Sequence, residues 1–185
     1  MSRDREEGVT VSEQWLTKEQ QRIWRAYLSV ESLLPAYLNR QLQARSGLSI
    51  TEYAVLVQLS EAPGGRMRPF ELGKALNWEQ SRLSHQIARM ENREFVVREQ
   101  CESDKRGAFI VLTESGRAAI EAAAPGHVDV VRAKVFGRLT PGEATAFGDA
   151  CAKIAAGLEE LRGVSGARRN SRSPNRRCWT RRNRS

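Results

Sequence analysis

Residues 72–116, LGKALNWEQSRLSHQIARMENREFVVREQCESDKRGAFIVLTESG, decide how this chain is read. Phe70, Leu72 and Leu76 mark a short helix over residues 70–76, with all three side chains expected inward. Asn77 followed by Gln80 has the spacing of a capping box, in which a side-chain oxygen takes a free backbone N–H and the amide reaches back. A second helix is therefore expected over residues 77–92, where Leu83, Ile87 and Met90 recur four and three apart. Phe95-Val96-Val97 and residues 108–112 are apolar runs of strand length. The charged loop 100–107 joins them into a hairpin. Thr113 then caps a further helix, with Glu114 in the first turn where the helix dipole favours an acid.

Upstream, Thr17 and Gln20 form another capping box. Ile23, Tyr27, Val30, Leu34, Leu38 and Leu42 follow as one apolar stripe. Pro35 should kink that helix, since it lacks an N–H and clashes with the preceding turn, and Ser46-Gly47 ends it. Ser49 with Glu52 opens the next helix, which runs through Leu56 and Leu59 to a stop at Pro63-Gly64-Gly65. Arg66-Met67-Arg68 reads as a short strand. Downstream, Pro125-Gly126 should kink or break the helix that Val128, Val131 and Val135 continue. Thr140 before Pro141 is a strong helix start, and an Ala-rich helix is expected to about Leu161. No internal repeat is visible.

The net charge of +8 is carried entirely by the eight arginines between positions 168 and 184, because residues 1–162 hold as many acids as bases. The basic pI thus belongs to the segment 163–185, not to the folded body. Residues 1–13 and 163–185 are polar, with little to bury, and both are expected to be disordered. The longest apolar run falls far short of the ~20 residues that span a bilayer, and the first residues do not read as a signal peptide. Cys101, Cys151 and Cys178 are scattered, without a CxxC pair, so a reducing cytoplasm is expected, with no metal site and no disulfide framework. Only two histidines occur, neither in a metal or nucleophile motif, and no Gly-rich phosphate loop follows a strand. No enzyme and no cofactor is expected.

Two helices joined by a tight turn and followed by a hairpin suit DNA, the second helix entering the major groove. Opposite Leu83, Ile87 and Met90 that helix presents Gln80, Ser81, Arg82, Ser84, His85 and Arg89. Arginine can bond guanine O6 and N7 together, glutamine can read adenine, and serine suits phosphate. Any surface helix has a polar face, however, so this pattern alone leaves a solvated amphipathic helix open. Asp104-Lys105-Arg106-Gly107 adds two cations at the hairpin, where an arginine can enter a narrow minor groove. By itself that is also what an ordinary charged turn looks like.

Together these residues resemble the winged helix of the MarR family. The family's wing pattern, Asp-x-Arg, a strand and then Leu-Thr-x-x-Gly, is met by Asp104, Arg106, Leu112, Thr113 and Gly116. The resemblance extends over roughly residues 15–160. It implies a mainly α fold with a small β-hairpin wing: a winged helix-turn-helix lobe at about 49–113, within a domain of residues 14–162. Dimerisation helices are implied at about 17–45 and 114–161. It further implies a homodimeric, ligand-responsive repressor on a pseudo-palindromic operator in double-stranded DNA. Ser81, Arg82, Ser84 and His85 would lie in the major groove, Arg106 at the minor groove, and Asp104 would position the wing. Trp24, Tyr27 and Tyr37 could line a cleft for a small aromatic or phenolic effector, although core or dimer interface is the simpler reading. The rival reading is a non-specific nucleic-acid-binding or architectural protein acting through the Arg-rich segment. Two positions depart from the pattern. Glu94 stands where glycine is usual, which predicts strain or a shifted helix end. Phe70 stands where a Ser or Thr cap is usual, which predicts a fraying helix.

Overall fold

The computed structural model describes the backbone of residues 15–101 and 104–170, and within it the side chains of 15–100 and 108–160. The expectation for residues 1–13 lies outside these. In order, the elements are α1 (Lys18–Ser46), α2 (Ile50–Glu61), β1 (Arg66–Met67), α3 (Pro69–Leu76), α4 (Gln80–Asn92), β2 (Val96–Cys101), β3 (Asp104–Leu112), α5 (Glu114–Lys134) and α6 (Pro141–Asn170). The fold is mainly helical, with one antiparallel sheet in the order β1-β3-β2. Two compact units divide within α5, at residues 131 and 132. Among the described residues no helix is long and apolar enough to cross a membrane.

In the first unit the capping pairs that open α1 and α2 form as the sequence expects. Thr17 and Gln20 exchange hydrogen bonds across the start of α1 (2.9 and 3.2 Å), and Ser49 and Glu52 do the same for α2. Gly47 ends α1 at φ 66°, a left-handed conformation that glycine adopts without steric cost. Leu48, Val55, Leu56 and Leu59 meet Leu72, Leu83, Ile87, Met90, Val96 and Ile110 in a core closed to solvent. At ~1.5–3 kcal/mol for each large apolar side chain buried, this cluster is the main support of the unit.

Both α1 and α5 run on through Pro35 and Pro125, so neither proline ends its helix, and the missing N–H costs each helix one bond. Four expectations are corrected. Phe70 points outward and is 76 % exposed, because α3 begins at Pro69 and the apolar face falls on Leu72 and Leu76. Arg68 is the cap residue of α3, and its N–H donates to the Glu71 carboxylate at 3.2 Å, so this helix start is not a bare one. Asn77 does not open α4: it closes α3 in a left-handed conformation (φ 55°), and Glu79 precedes α4. The hairpin is longer than expected, since pairing continues to Cys101 opposite Asp104, with a register irregularity at Gln100/Cys101.

Gly116 explains why α5 can start where it does. A Cβ there would sit 2.1 Å from the Phe95 carbonyl oxygen, so only glycine lets α5 seat on the end of the α4–β2 turn. The Thr113 hydroxyl donates to the Glu94 carbonyl (2.6 Å) and accepts the Gly116 N–H (3.0 Å), which ties β3 and α5 to that turn.

The second unit holds a short 3-10 turn (Phe136–Arg138) and α6. Thr140 and Glu143 cap α6 reciprocally, as the Pro141 signal implies. The helix runs to Asn170, past the expected end near Leu161, which corrects the expectation of disorder for residues 163–170; none of them is a proline, so each can keep its helical N–H bond. Residues 171–185 lie outside the described ones. No described side chain of α6 is buried.

Candidate nucleic-acid interface

Packing of α3 against α4 sets the angle at which α4 is presented. Gly73 makes it tight: a Cβ there would stand 3.4 Å from the Trp78 carbonyl oxygen and 3.5 Å from Leu83 Cδ2. The left-handed Asn77 turns the chain, and the Trp78 N–H closes the bend on the Gly73 carbonyl (2.9 Å). Leu83, Gln86, Ile87 and Met90 then face the core. Gln80, Ser81, Arg82, His85 and Arg89 are exposed, and Ser84 is half-buried. The structure thus gathers six candidate DNA-facing residues on one helix, most of them on its first two turns.

Three residues without a motif of their own in the sequence shape this surface. The Trp78 ring lies 4.6 Å from the Arg82 guanidinium and holds that side chain at the N-terminal end of α4. Gln86 is buried among apolar neighbours, and its Oε1 accepts from Arg89 (2.8 Å) and, more weakly, from Thr51 (3.4 Å). Arg89 is therefore fastened to its own helix. Arg93, at the C-terminal end, donates to the Glu52 carboxylate (2.8 Å) and the Gly47 carbonyl (3.2 Å), and its guanidinium lies over the Phe95 ring. The spacing of Gln86, three after Leu83, puts it on the apolar face and was the available signal.

Burial pushes the Glu52 carboxyl upward, but hydrogen bonds from the Ser49 N–H and hydroxyl, and the Arg93 guanidinium, outweigh it and hold the group below its ordinary value. The carboxylate thus stays ionised and joins the ends of α1, α2 and α4.

Glu94 has φ 58°, in the left-handed region that the departure from glycine predicts. Its N–H donates to the Glu91 carbonyl (2.9 Å) and the Phe95 N–H to the Met90 carbonyl (3.0 Å), the paired bonds of a Schellman ending. The motif forms with glutamate because those bonds and Thr113 hold the turn.

The backbone of Asp104, Lys105 and Arg106 belongs to β3, a few positions beyond the end of β2 in sequence, and their side chains lie outside the described residues. Trp24 and Tyr27 stack on α1 with centroids 5.2 Å apart, both about half exposed; Tyr37 is half-buried further along the helix. A separate groove is lined by Leu42, Arg45 and Ser46 of α1 with Ala123, Gly126 and His127 of α5. The Tyr53 ring packs 4.4 Å from His127, and burial lowers the affinity of that imidazole for a proton. Trp24, Tyr27 and Tyr37 do not line this groove.

A model of the MarR family matches residues 48–107. Transcriptional regulator HosA of Escherichia coli O127:H6 is 31 % identical over 123 residues, 66 % of this chain and 89 % of that protein. The crystal structure of AbsC, a MarR family transcriptional regulator from Streptomyces coelicolor, is 46 % identical. It covers 80 % of this chain and 98 % of its own, with a TM-score of 0.75. That of Sco3205, from the same organism and in complex with DNA, is also 46 % identical, covering 78 % and 94 % with the same TM-score.

Proposed function

This chain belongs to the MarR family of transcriptional regulators, and on that premise we propose that it is a dimeric repressor that reads a pseudo-palindromic operator and releases it when a small ligand binds. The observation that carries the reading is the split character of α4. Four side chains are sealed in the core, and the opposite face offers Gln80, Ser81, Arg82 and His85 on a rigid, well-anchored helix. That combination presents hydrogen-bonding groups without the freedom that would blur base recognition. Sco3205, which is similar over most of its length, was crystallised with DNA. Ser84 and Arg89 would supply phosphate contacts at the helix margin, Arg106 a minor-groove contact, and Asp104 and Lys105 the support of the wing.

The dimer follows from apolar surface that one chain leaves open. Ile23, Tyr27 and Val30 of α1 are each more than half exposed, as are Ile154 and Leu158 of α6. Two copies meeting through these helices would place the α4 pair about one DNA turn apart, roughly 10 bp between half-site centres. An effector, aromatic or phenolic in the Trp24–Tyr27–Tyr37 reading, would act by favouring a spacing that does not fit DNA. A reducing cytoplasm is the compartment such a regulator works in.

The test compares binding to a duplex selected by the protein with binding to random duplex at one salt concentration. Arg82→Ala should cost the selected duplex on the order of 1–3 kcal/mol and random duplex little. Equal affinity of the unaltered protein for both duplexes would replace this reading with non-specific binding through the Arg-rich segment.

A further inference from the structure

The two arginines on the exposed side of α4 are held in different ways. Arg89 donates to the buried Gln86 Oε1 at 2.8 Å, so one of its donors is spent on its own helix. Arg82 is held by a ring instead: its guanidinium carbon lies 4.6 Å from the centroid of the Trp78 ring. Among the described residues the Arg82 guanidinium has no hydrogen-bond or ion-pair partner, although Glu79 stands close before it in the chain. An aromatic face attracts a guanidinium through its charge, without occupying the N–H donors as a carboxylate would. The ring thus takes up the freedom of the arginine and leaves its hydrogen-bonding fork unspent.

Trp78 is itself fixed. It is half-buried and packs against the core cluster. Its N–H donates to the Gly73 carbonyl (2.9 Å), and the left-handed Asn77 precedes it. Gly73 lets this turn close, since a Cβ there would stand 3.4 Å from the Trp78 carbonyl oxygen. An arginine on an open helix face would spread over many rotamers, and ordering it on DNA would consume part of what the contact gains. Against Trp78 that ordering precedes the encounter. A paired contact to guanine O6 and N7 depends on the angle of the fork, so the benefit falls on base choice more than on general affinity.

We propose that Trp78 is a specificity-determining positioning residue, which holds Arg82 aimed, with its donors free, at a guanine of the operator. The inference rests on the reading of α4 as the element that meets bases. It assigns part of the sequence discrimination to a side chain of the turn before α4, acting through Arg82 and not on the DNA itself. Arg89, with a donor committed to Gln86, is left for phosphate.

The experiment is a double-mutant cycle on the full-length protein: native, Trp78→Leu, Arg82→Ala and the pair. Each is titrated with a selected duplex and with random duplex at one salt concentration. Trp78→Leu should weaken binding to the selected duplex roughly two- to fivefold, the worth of an exposed cation–π contact, and leave random duplex nearly unchanged. In the Arg82→Ala background the same substitution should change neither affinity. Trp78→Phe, which keeps a ring face, should recover part of the loss. No charge is removed, so the salt dependence of the Trp78→Leu protein should match that of the native one. If Trp78→Leu lowers the melting temperature, Trp78→Phe replaces it in the cycle, with a smaller loss that again vanishes without Arg82. An unchanged ratio between the duplexes in a normally melting variant would overturn the proposal. So would an equal loss with and without Arg82, which would mean that Trp78 acts on the turn alone. Loss of discrimination in Arg82→Ala with Trp78→Leu silent sinks only this inference; if Arg82→Ala keeps full discrimination, the reading of α4 falls and this inference with it.

Discussion

Leu83, Ile87 and Met90 of α4 are sealed from solvent, whereas Ile23, Tyr27 and Val30 of α1, spaced in much the same rhythm, are each more than half exposed. The two stripes look alike in the sequence. What differs is the company each helix keeps. α4 lies between α2, α3 and the sheet, all within about 60 residues of chain, and local elements of that kind close over an apolar face readily. α1 has such neighbours only near its C-terminal end, where Leu42 is buried, and its stripe grades from Leu42 through half-buried Leu38 and Leu34 to exposed Val30. On α6, Phe147, Cys151, Ile154 and Leu158 fall four, three and four apart and are all exposed. The lobe is thus complete in one chain, whereas the flanking helices keep apolar faces open to solvent.

The sharpest way to break this comparison is to damage each side separately. Leu72→Ala, in the closed core, should cost about 2–5 kcal/mol, read as a lower midpoint in urea unfolding. Ile154→Asp should leave the lobe's near-ultraviolet signal intact yet weaken self-association at least tenfold, roughly 1.4 kcal/mol, in sedimentation equilibrium. Self-association unmoved by Ile154→Asp would take α6 out of the proposed dimer interface. Glu94→Gly should raise stability by about 0.5–1 kcal/mol, because the left-handed turn then carries no Cβ, and the gain should appear in thermal melts of the lobe.

The smallest effect is the pH dependence of the link between α1, α2 and α4. Glu52 has a lower proton affinity folded than unfolded, so its contribution is complete above its ordinary value of 4.5 and is lost as the pH falls through the folded value. Glu52→Gln should therefore be less stable than the native protein at neutral pH, with the difference shrinking in acid. His127 works in another window. Its folded value lies below 6.5, so stability is complete above 6.5 and falls as the unfolded chain takes up the proton first. A His127→Gln protein should lack that early decline, as followed by melting temperature between neutral and mildly acidic pH.

Much of the fold was legible because its signals are local. Capping pairs such as Thr17–Gln20 and Ser49–Glu52 act over three residues, and each forms as its spacing indicates. The exposed row Gln80, Ser81, Arg82, His85 follows from the positions of Leu83, Ile87 and Met90 alone. Asn77 shows the limit of the same logic. A capping-type residue fits a helix start or a left-handed helix end, and the choice between them falls to Gly73 and Trp78, which close the turn beneath it. Phe70 departs from expectation for a related reason: its apolar character suggests burial, but Pro69 fixes the helical phase and turns it out.

By itself, then, the sequence determined the order of helices and strands, the apolar faces of α2 and α4, and the polar row on α4, because periods of 3.6 and 2 and capping chemistry act between near neighbours. Tertiary structure alone decided the rest. Arg93 reaches Glu52 across 41 residues of sequence, Thr113 reaches the Glu94 carbonyl across 19, and Arg66 and Arg68 meet over Phe109. Such meetings depend on how elements pack in space, and no local period encodes them.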